Sequence, residues 1–248
     1  LIFLFNIQIN AQVKDLQGNV DEAYFVNNDL GKRFIKLTNL IDQYAENEIK
    51  KGNINSIALA IYKNGEIFHN YYGEIDKNNQ NKPNDSTLYE IASISKVFVG
   101  SLAAKAVLEK RIKLDDDIRM HMVEKYPNLE YQGIPITIKN LLTHTLGFKT
   151  KIPEKLAEVN KKTTEGYYEN RPFDYNMSTF LKELKTVELD KKPGTVYDYN
   201  SIGSELMSYI LEQVYHKDYK DLLQNFLNEL DMKNTYLQNY QEHKKYLA

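Results

Sequence analysis

A chain of 248 residues, 42% apolar and 27% charged, has the composition of an ordinary globular protein and the length for one large core or two modest lobes. Its 32 basic and 34 acidic side chains leave a formal charge of −2, which removes the electrostatic basis for binding nucleic acid. There is no cysteine, so disulfides and thiolate metal sites are excluded while the redox compartment stays open.

The chain begins "LIFLFNIQINAQVK". The apolar run over residues 1–9 is too short to span a bilayer. Followed by Asn10, Ala11 and Gln12, it fits the apolar region and small-residue cleavage site of a secretory signal whose basic start is missing. Residues 1–11 are therefore expected to be the remnant of an export signal, and the protein to be secreted or periplasmic; a buried N-terminal strand is the alternative. Residues 12–53 form an N-terminal segment with a first helix, "DLGKRFIKLTNLIDQYAENEIKKG". There Phe34, Leu37, Ile41, Tyr44 and Ala45 share one stripe, with Asp29 as a cap and Gly52 as a stop.

Residues 54–248 read as the main domain. "SIALAIY" and "EIFHNYYG" are joined through Lys63-Asn64-Gly65, and Asn-Gly between two β-rich runs signals a tight antiparallel hairpin. From Ser93 a helix follows whose Val97, Phe98, Val99, Leu102 and Ala106 make it apolar nearly all round, so it is expected inside the protein. "PITIKNLLTHTLGF" predicts a strand-like entry and a helix over 139–143 that ends toward Gly147. Residues 149–176 are polar and aperiodic, a loop-rich insertion. Helices are then expected over 177–186, 201–214 and 219–230, with a turn at Pro193-Gly194. One hairpin followed by many helices predicts an α+β fold, an antiparallel sheet flanked by helices plus a mostly helical lobe.

Ser93 and Lys96 stand three apart at the start of the apolar helix. A serine hydroxyl is a weak nucleophile without a base in reach, and residues three apart on a helix share a face. An amine acts as that base only in its neutral form, which burial favours. Backbone N–H groups at a helix start are suited to an oxyanion. With nine serines and 28 lysines in the chain, roughly one Ser-x-x-Lys is expected by chance, so the pair gains meaning only from its surroundings.

Those surroundings are "EIASISKVFVGSLAAKAVLEKRIKLDDDI", then "PITIKNLLTHTLGF", then "KKPGTVYDYNSIGSELMSYILEQV". Together they resemble the serine β-lactamase-like superfamily, in its branch of class C β-lactamases, DD-peptidases and esterases. There a Ser-x-x-Lys helix precedes an LDD turn, an I-T-I-x-x-L-L-x-H-T-S-G segment and a P-G-x-x-x-x-Y motif in this order. "NELDMKNTY" is similar to the family's P-L-G-M-x-x-T, so the resemblance covers about residues 54–240. It implies a β-lactamase/DD-peptidase-like fold and a serine hydrolase. Ser93 would accept the acyl group, Lys96 would activate it, and Tyr199 would relay the proton, with Tyr197 the competing tyrosine two residues away. The substrate would be a small molecule or peptide carrying an amide or ester (a D-amino-acid peptide, a β-lactam or an ester). The alternative is a penicillin- or peptidoglycan-binding sensor that does not turn over.

Several positions depart from the family. Ser201 stands where Asn or Asp is usual and would bind the substrate amide with a hydroxyl of shorter reach. Asn200 beside it is expected to point elsewhere. Leu146 replaces the serine of the His-Thr-Ser-Gly segment, and His144 reads as structural. His69, His121, His216 and His243 lack ligand-like spacing, so neither metal nor cofactor is implied, and Asp115, Asp116 and Asp117 read as a capped turn. The family's C-terminal Lys-Thr-Gly or His-x-Gly strand has no counterpart after Gly203, the last glycine. The sequence therefore reads as a fragment cut at both ends, lacking C-terminal strands, with an open hairpin edge, one oxyanion donor of two and weak activity.

Overall fold

The computed structural model describes residues 4–5, 29–52, 54–63, 66–76, 81–149 and 176–237. They fall into two compact units, Leu1–Ala92 with Leu227–Ala248, and Ser93–Phe226. The Asn64-Gly65 turn and nearly all of the 149–176 insertion lie outside the described residues.

In the first unit, helix α1 (Asp29–Lys50) buries Ala45 and half-buries Ile41, Asp42 and Ile49 along one stripe. Tyr44, expected on that stripe, is 65% exposed. A carboxylate takes the inward place because it has partners there: Asp42 Oδ1 accepts from Tyr72 Oη at 2.5 Å and Asn70 Nδ2 at 3.1 Å. Those partners lie on the second strand of the hairpin, β2 (Ser56–Lys63) and β3 (Glu66–Gly73), whose register runs from Ser56↔Gly73 to Lys63↔Glu66. On β2, Ile57, Leu59 and Ile61 are half-buried while Ala58, Ala60 and Tyr62 are exposed, the period of two expected for a strand with one covered face.

Among the described residues the hairpin pairs with no third strand. A separate small sheet has the order β4-β1-β7 and joins β1 (Leu4–Phe5), β4 (Tyr89–Glu90) and β7 (Thr235–Tyr236). Leu4 and Phe5, within the segment read as an export signal, thus pair antiparallel with residues on both sides. The α+β class holds, with its β structure spread over short antiparallel pairings in place of one expected sheet.

The second unit is mainly helical. A 3₁₀ turn, Ala92–Ser95, leads into α2 (Lys96–Leu108). After a second 3₁₀ turn (Ile118–His121) come β5 (Glu130–Tyr131), β6 (Ile134–Pro135) and α3 (Ile138–Leu142). Then follow α4 (Met177–Leu184), α5 (Ile202–Tyr215) and α6 (Tyr219–Glu229), the last running on into the first unit. Helix α5 is the hub: Ile202, Leu206, Met207, Ile210 and Leu211 are wholly buried, and it packs on α2, α3 and the second 3₁₀ turn. Helix α2 buries Phe98, Val99, Leu102, Ala103 and Ala106, but Val97 is 63% and Leu108 83% exposed. The helix is apolar all round and covered on one side. Among the described residues no helix is long and apolar enough to cross a membrane.

The Asp115–Asp117 run is a hydrogen-bonded turn. Asp116 accepts from the Lys113 N–H at 2.8 Å and lies 3.1 Å from His121 Nε2. Asp117 caps the second 3₁₀ turn through the Arg119 N–H at 2.9 Å, and the Arg119 guanidinium bridges Asp117 and Glu130.

Candidate active site

Ser93 sits on the 3₁₀ turn and Lys96 opens α2; the serine is therefore just ahead of the α-helix, where a first-turn position was expected. The difference helps the pair. In a 3₁₀ turn residues i and i+3 eclipse, and Lys96 Nζ donates to Ser93 Oγ at 3.2 Å. Ala92, immediately before the serine, holds a φ of 42°, a left-handed conformation that costs a non-glycine residue about 1–2 kcal/mol. It makes the corner from which the exposed Ser93 projects. Ser95 at the N-cap makes no side-chain cap bond.

Tyr199 arrives from the loop before α5. Its ring stands beside Lys96, whose Nζ lies 5.2 Å from the ring centroid. The Ser93 hydrogen bond, then the hydrogen bond and charge of Lys96, hold the phenol below its ordinary pKa against the opposing effect of partial burial. Tyr197 is 68% exposed and meets His144 edge-on at 6.0 Å; the ring beside Lys96 is that of Tyr199.

The two other quoted segments explain how Tyr199 is carried there. Thr137 caps α3 and forms a reciprocal capping box with Asn140. Past α3 the backbone of the His144–Phe148 stretch receives the tyrosine loop. The Asp198 N–H donates to the His144 carbonyl at 2.8 Å, the Gly194 N–H to the Thr145 carbonyl at 2.8 Å, and the Asp190 N–H to the Gly147 carbonyl at 3.2 Å. Phe148 bridges Leu189. Pro193-Gly194 makes the expected turn, with Gly194 at φ 88° and the Thr195 N–H donating to the Lys192 carbonyl at 3.3 Å.

Beyond Tyr199 the chain locks into α5. Asn200, buried, donates to the Asp198 carbonyl at 2.8 Å and accepts from the Gly203 N–H at 3.4 Å, so its side chain turns into its own loop. Ser201 is the N-cap of α5 and makes no side-chain cap bond; its carbonyl accepts from Ser204 Oγ at 3.1 Å. No described contact joins its hydroxyl to the Ser93–Lys96–Tyr199 cluster.

His144, read from sequence as structural, lies against the site. Its ring centroid is 4.6 Å from that of Tyr199, tilted by 48°. Burial first, then the charge of Lys96, push its pKa below the ordinary histidine value, while a hydrogen bond to the Asn200 backbone works the other way. The His-Thr segment signals its presence, but nothing local reveals its neighbour.

This geometry has counterparts. A family model described as Beta-lactamase matches residues 37–248. Protein flp of Staphylococcus aureus (strain N315) is 32% identical over 197 residues, 79% of this chain and 37% of that protein. The D-alanyl-D-alanine-carboxypeptidase/endopeptidase AmpH of Escherichia coli (strain K12) is 24% identical over 80% of this chain and 49% of its own length. An octameric penicillin-binding protein homologue from Pyrococcus abyssi superposes with a TM-score of 0.72 at 24% identity, covering 85% of this chain and 47% of that one. The chain belongs to the β-lactamase family of serine hydrolases and has the β-lactamase/DD-peptidase fold. It spans half or less of the length of these three proteins.

Proposed function

We propose that this chain carries the nucleophile-bearing half of a serine hydrolase that passes an acyl group through an ester on Ser93. The carrying observation is the grouping of three side chains: Lys96 Nζ on Ser93 Oγ at 3.2 Å, with the same amine 5.2 Å from the centroid of the Tyr199 ring. Ser93 Oγ attacks the carbonyl carbon of an amide or ester and its proton passes into the Lys96–Tyr199 pair. N–H groups at the start of α2 receive the developing oxyanion. When the carbon–nitrogen or carbon–oxygen bond breaks, Tyr199 returns the proton to the leaving group. Water then attacks the ester by the reverse path, releasing the acid and restoring Ser93. Ser201, whose hydroxyl is not spent on capping its helix, binds the substrate amide.

The substrate class is a small molecule or peptide with an acyl group on nitrogen or oxygen, and the AmpH resemblance supports a D-amino-acid peptide. Export to the cell surface or periplasm, read from residues 1–11, belongs to the same reading. The test is covalent labelling of the full protein in exported and cytosolic fractions. A fluorescent penicillin or fluorophosphonate should label the exported protein, with the mass on the peptide containing Ser93 and no label in Ser93→Ala. Equal labelling of Ser93→Ala refutes the mechanism, and labelling without steady-state turnover marks a sensor.

A further inference from the structure

We propose that His144 is a positioning residue for the proton relay: its imidazole and its main-chain carbonyl together clasp the Tyr197–Tyr199 stretch and hold the Tyr199 phenol against Ser93 and Lys96. The role deepens the reading just given and rests on Tyr199 being the relay.

One residue engages three consecutive ones. The His144 carbonyl accepts from the Asp198 N–H at 2.8 Å. The ring packs on Tyr199 at 4.6 Å and on the edge of Tyr197 at 6.0 Å. His144 Nδ1 is buried without a partner, so a proton placed there would lack an acceptor, which favours the neutral ring protonated on Nε2. The clasp depends on a left-handed backbone at His144, φ 53°, which aims carbonyl and side chain at the same stretch.

Tyr199 needs such support. It is half exposed, and an extended loop would leave the phenol several rotamers away from the serine. A misplacement of about 1 Å is enough to lose roughly 10²-fold in rate. The groups facing the ring from neighbouring elements are the cation of Lys96, the two phenols and the Asn200 backbone. Protonation would add a second cation beside Lys96 and a buried Nδ1–H with no acceptor, and the clasp would open.

Two readouts on the full chain test this. Asparagine tolerates the left-handed backbone and keeps the main-chain acceptor for the Asp198 N–H, but it has no ring, so His144→Asn removes the ring packing. With [13Cζ]tyrosine labelling, the Tyr199 resonance is the one lost in Tyr199→Phe. In the wild type it should titrate below the ordinary phenol value of about 10, and in His144→Asn it should move back toward that value. An unchanged titration overturns the proposal. Fluorophosphonate labelling of Ser93 should slow by roughly 10²-fold in the same variant, with little change in the concentration at half-saturation. If wild-type Ser93 is never labelled while the Tyr199 titration still moves, the hydrolase reading fails and the clasp stands. Should circular dichroism show His144→Asn unfolded, His144→Gly repeats the measurement. The wild-type imidazole 15N spectrum then decides in either event, because a ring protonated on Nδ1 at neutral pH overturns the clasp.

Discussion

At the scale of residues, the sequence leaves Tyr197 and Tyr199 as competitors for a physical reason. In an extended stretch, positions two apart project to the same side, so both rings reach His144 and spacing alone separates them poorly. Their surroundings divide them: Lys96 Nζ lies 5.2 Å from the Tyr199 ring centroid, and Tyr197 is two-thirds exposed. Tyr199→Phe should therefore slow acylation of Ser93 by about 10²–10⁴, the range for losing a general acid–base, while Tyr197→Phe should stay near the wild-type rate because its ring contact is kept. The rate constant of fluorophosphonate adduct formation, followed by intact-protein mass, checks both, and similar rates for the two variants would remove Tyr199 from the relay. Ser93 and Lys96 were legible as a pair because their contact is local. His144 was not, because its partners are brought to it by backbone bonds from another segment. Ala92 gave no warning of its left-handed corner either, since alanine has no preference for it.

Elements show a similar division between starts and ends. Helix starts follow side-chain chemistry that can be read: Thr137 and Asn176 cap α3 and α4. The ends of α2, α5 and α6 lack glycine, the usual signal. Lys110, His216 and Asp231 take the left-handed position instead, at φ 58°, 50° and 56°. After α6 the Met232 N–H reaches back to the Leu227 carbonyl at 2.8 Å, and Asp231 does this where the family's P-L-G-M pattern has glycine. Helix boundaries were nevertheless close, because the apolar period carries across the missing stop. Glycine acts elsewhere, at the packing of α5. A Cβ on Gly203 would lie 2.5 Å from the Leu141 carbonyl oxygen, whereas one on Gly100 in α2 would meet nothing within 4 Å. Gly203→Ala should thus push α5 off α3 at about 1–3 kcal/mol and displace Tyr199 with it. Gly100→Ala should stabilise by about 0.5–1 kcal/mol through helix propensity. Thermal melts of the two variants should move in opposite directions; a Gly203→Ala protein as stable as the wild type would show that the close approach does not hold the loop.

On the scale of the molecule, the two units carry different acid–base loads, and this gives each its own response to pH. In the first unit the displaced groups among the described residues are tyrosines, Tyr71, Tyr72, Tyr89 and Tyr236, all pushed upward with burial the leading cause, Tyr72 to about 12. A phenol raised on folding contributes stability that is complete below its unfolded value of about 10 and is lost only as the solution turns more alkaline. The second unit has such phenols too, Tyr126 at about 12 among them, but it also holds groups displaced downward. Glu109 is lowered first by its hydrogen bond to Arg111 and then by Tyr215. Burial works against ionisation of Asp116, yet the Lys113 N–H and His121 outweigh it and keep that carboxyl low. For both carboxylates the stabilisation is present above about pH 4 and falls away as pH drops through the folded value. His144, lowered by burial and Lys96, binds a proton more readily when unfolded, so its share begins to fade below about pH 6.5. Acid should accordingly loosen Ser93–Phe226 first. In hydrogen exchange corrected for intrinsic rates, peptides from α3 and the start of α5 should lose protection between pH 7 and pH 4, while the Ser56–Gly73 hairpin keeps its own. Earlier loss from the hairpin would mean that carboxylates and His144 do not set the acid response of this fold.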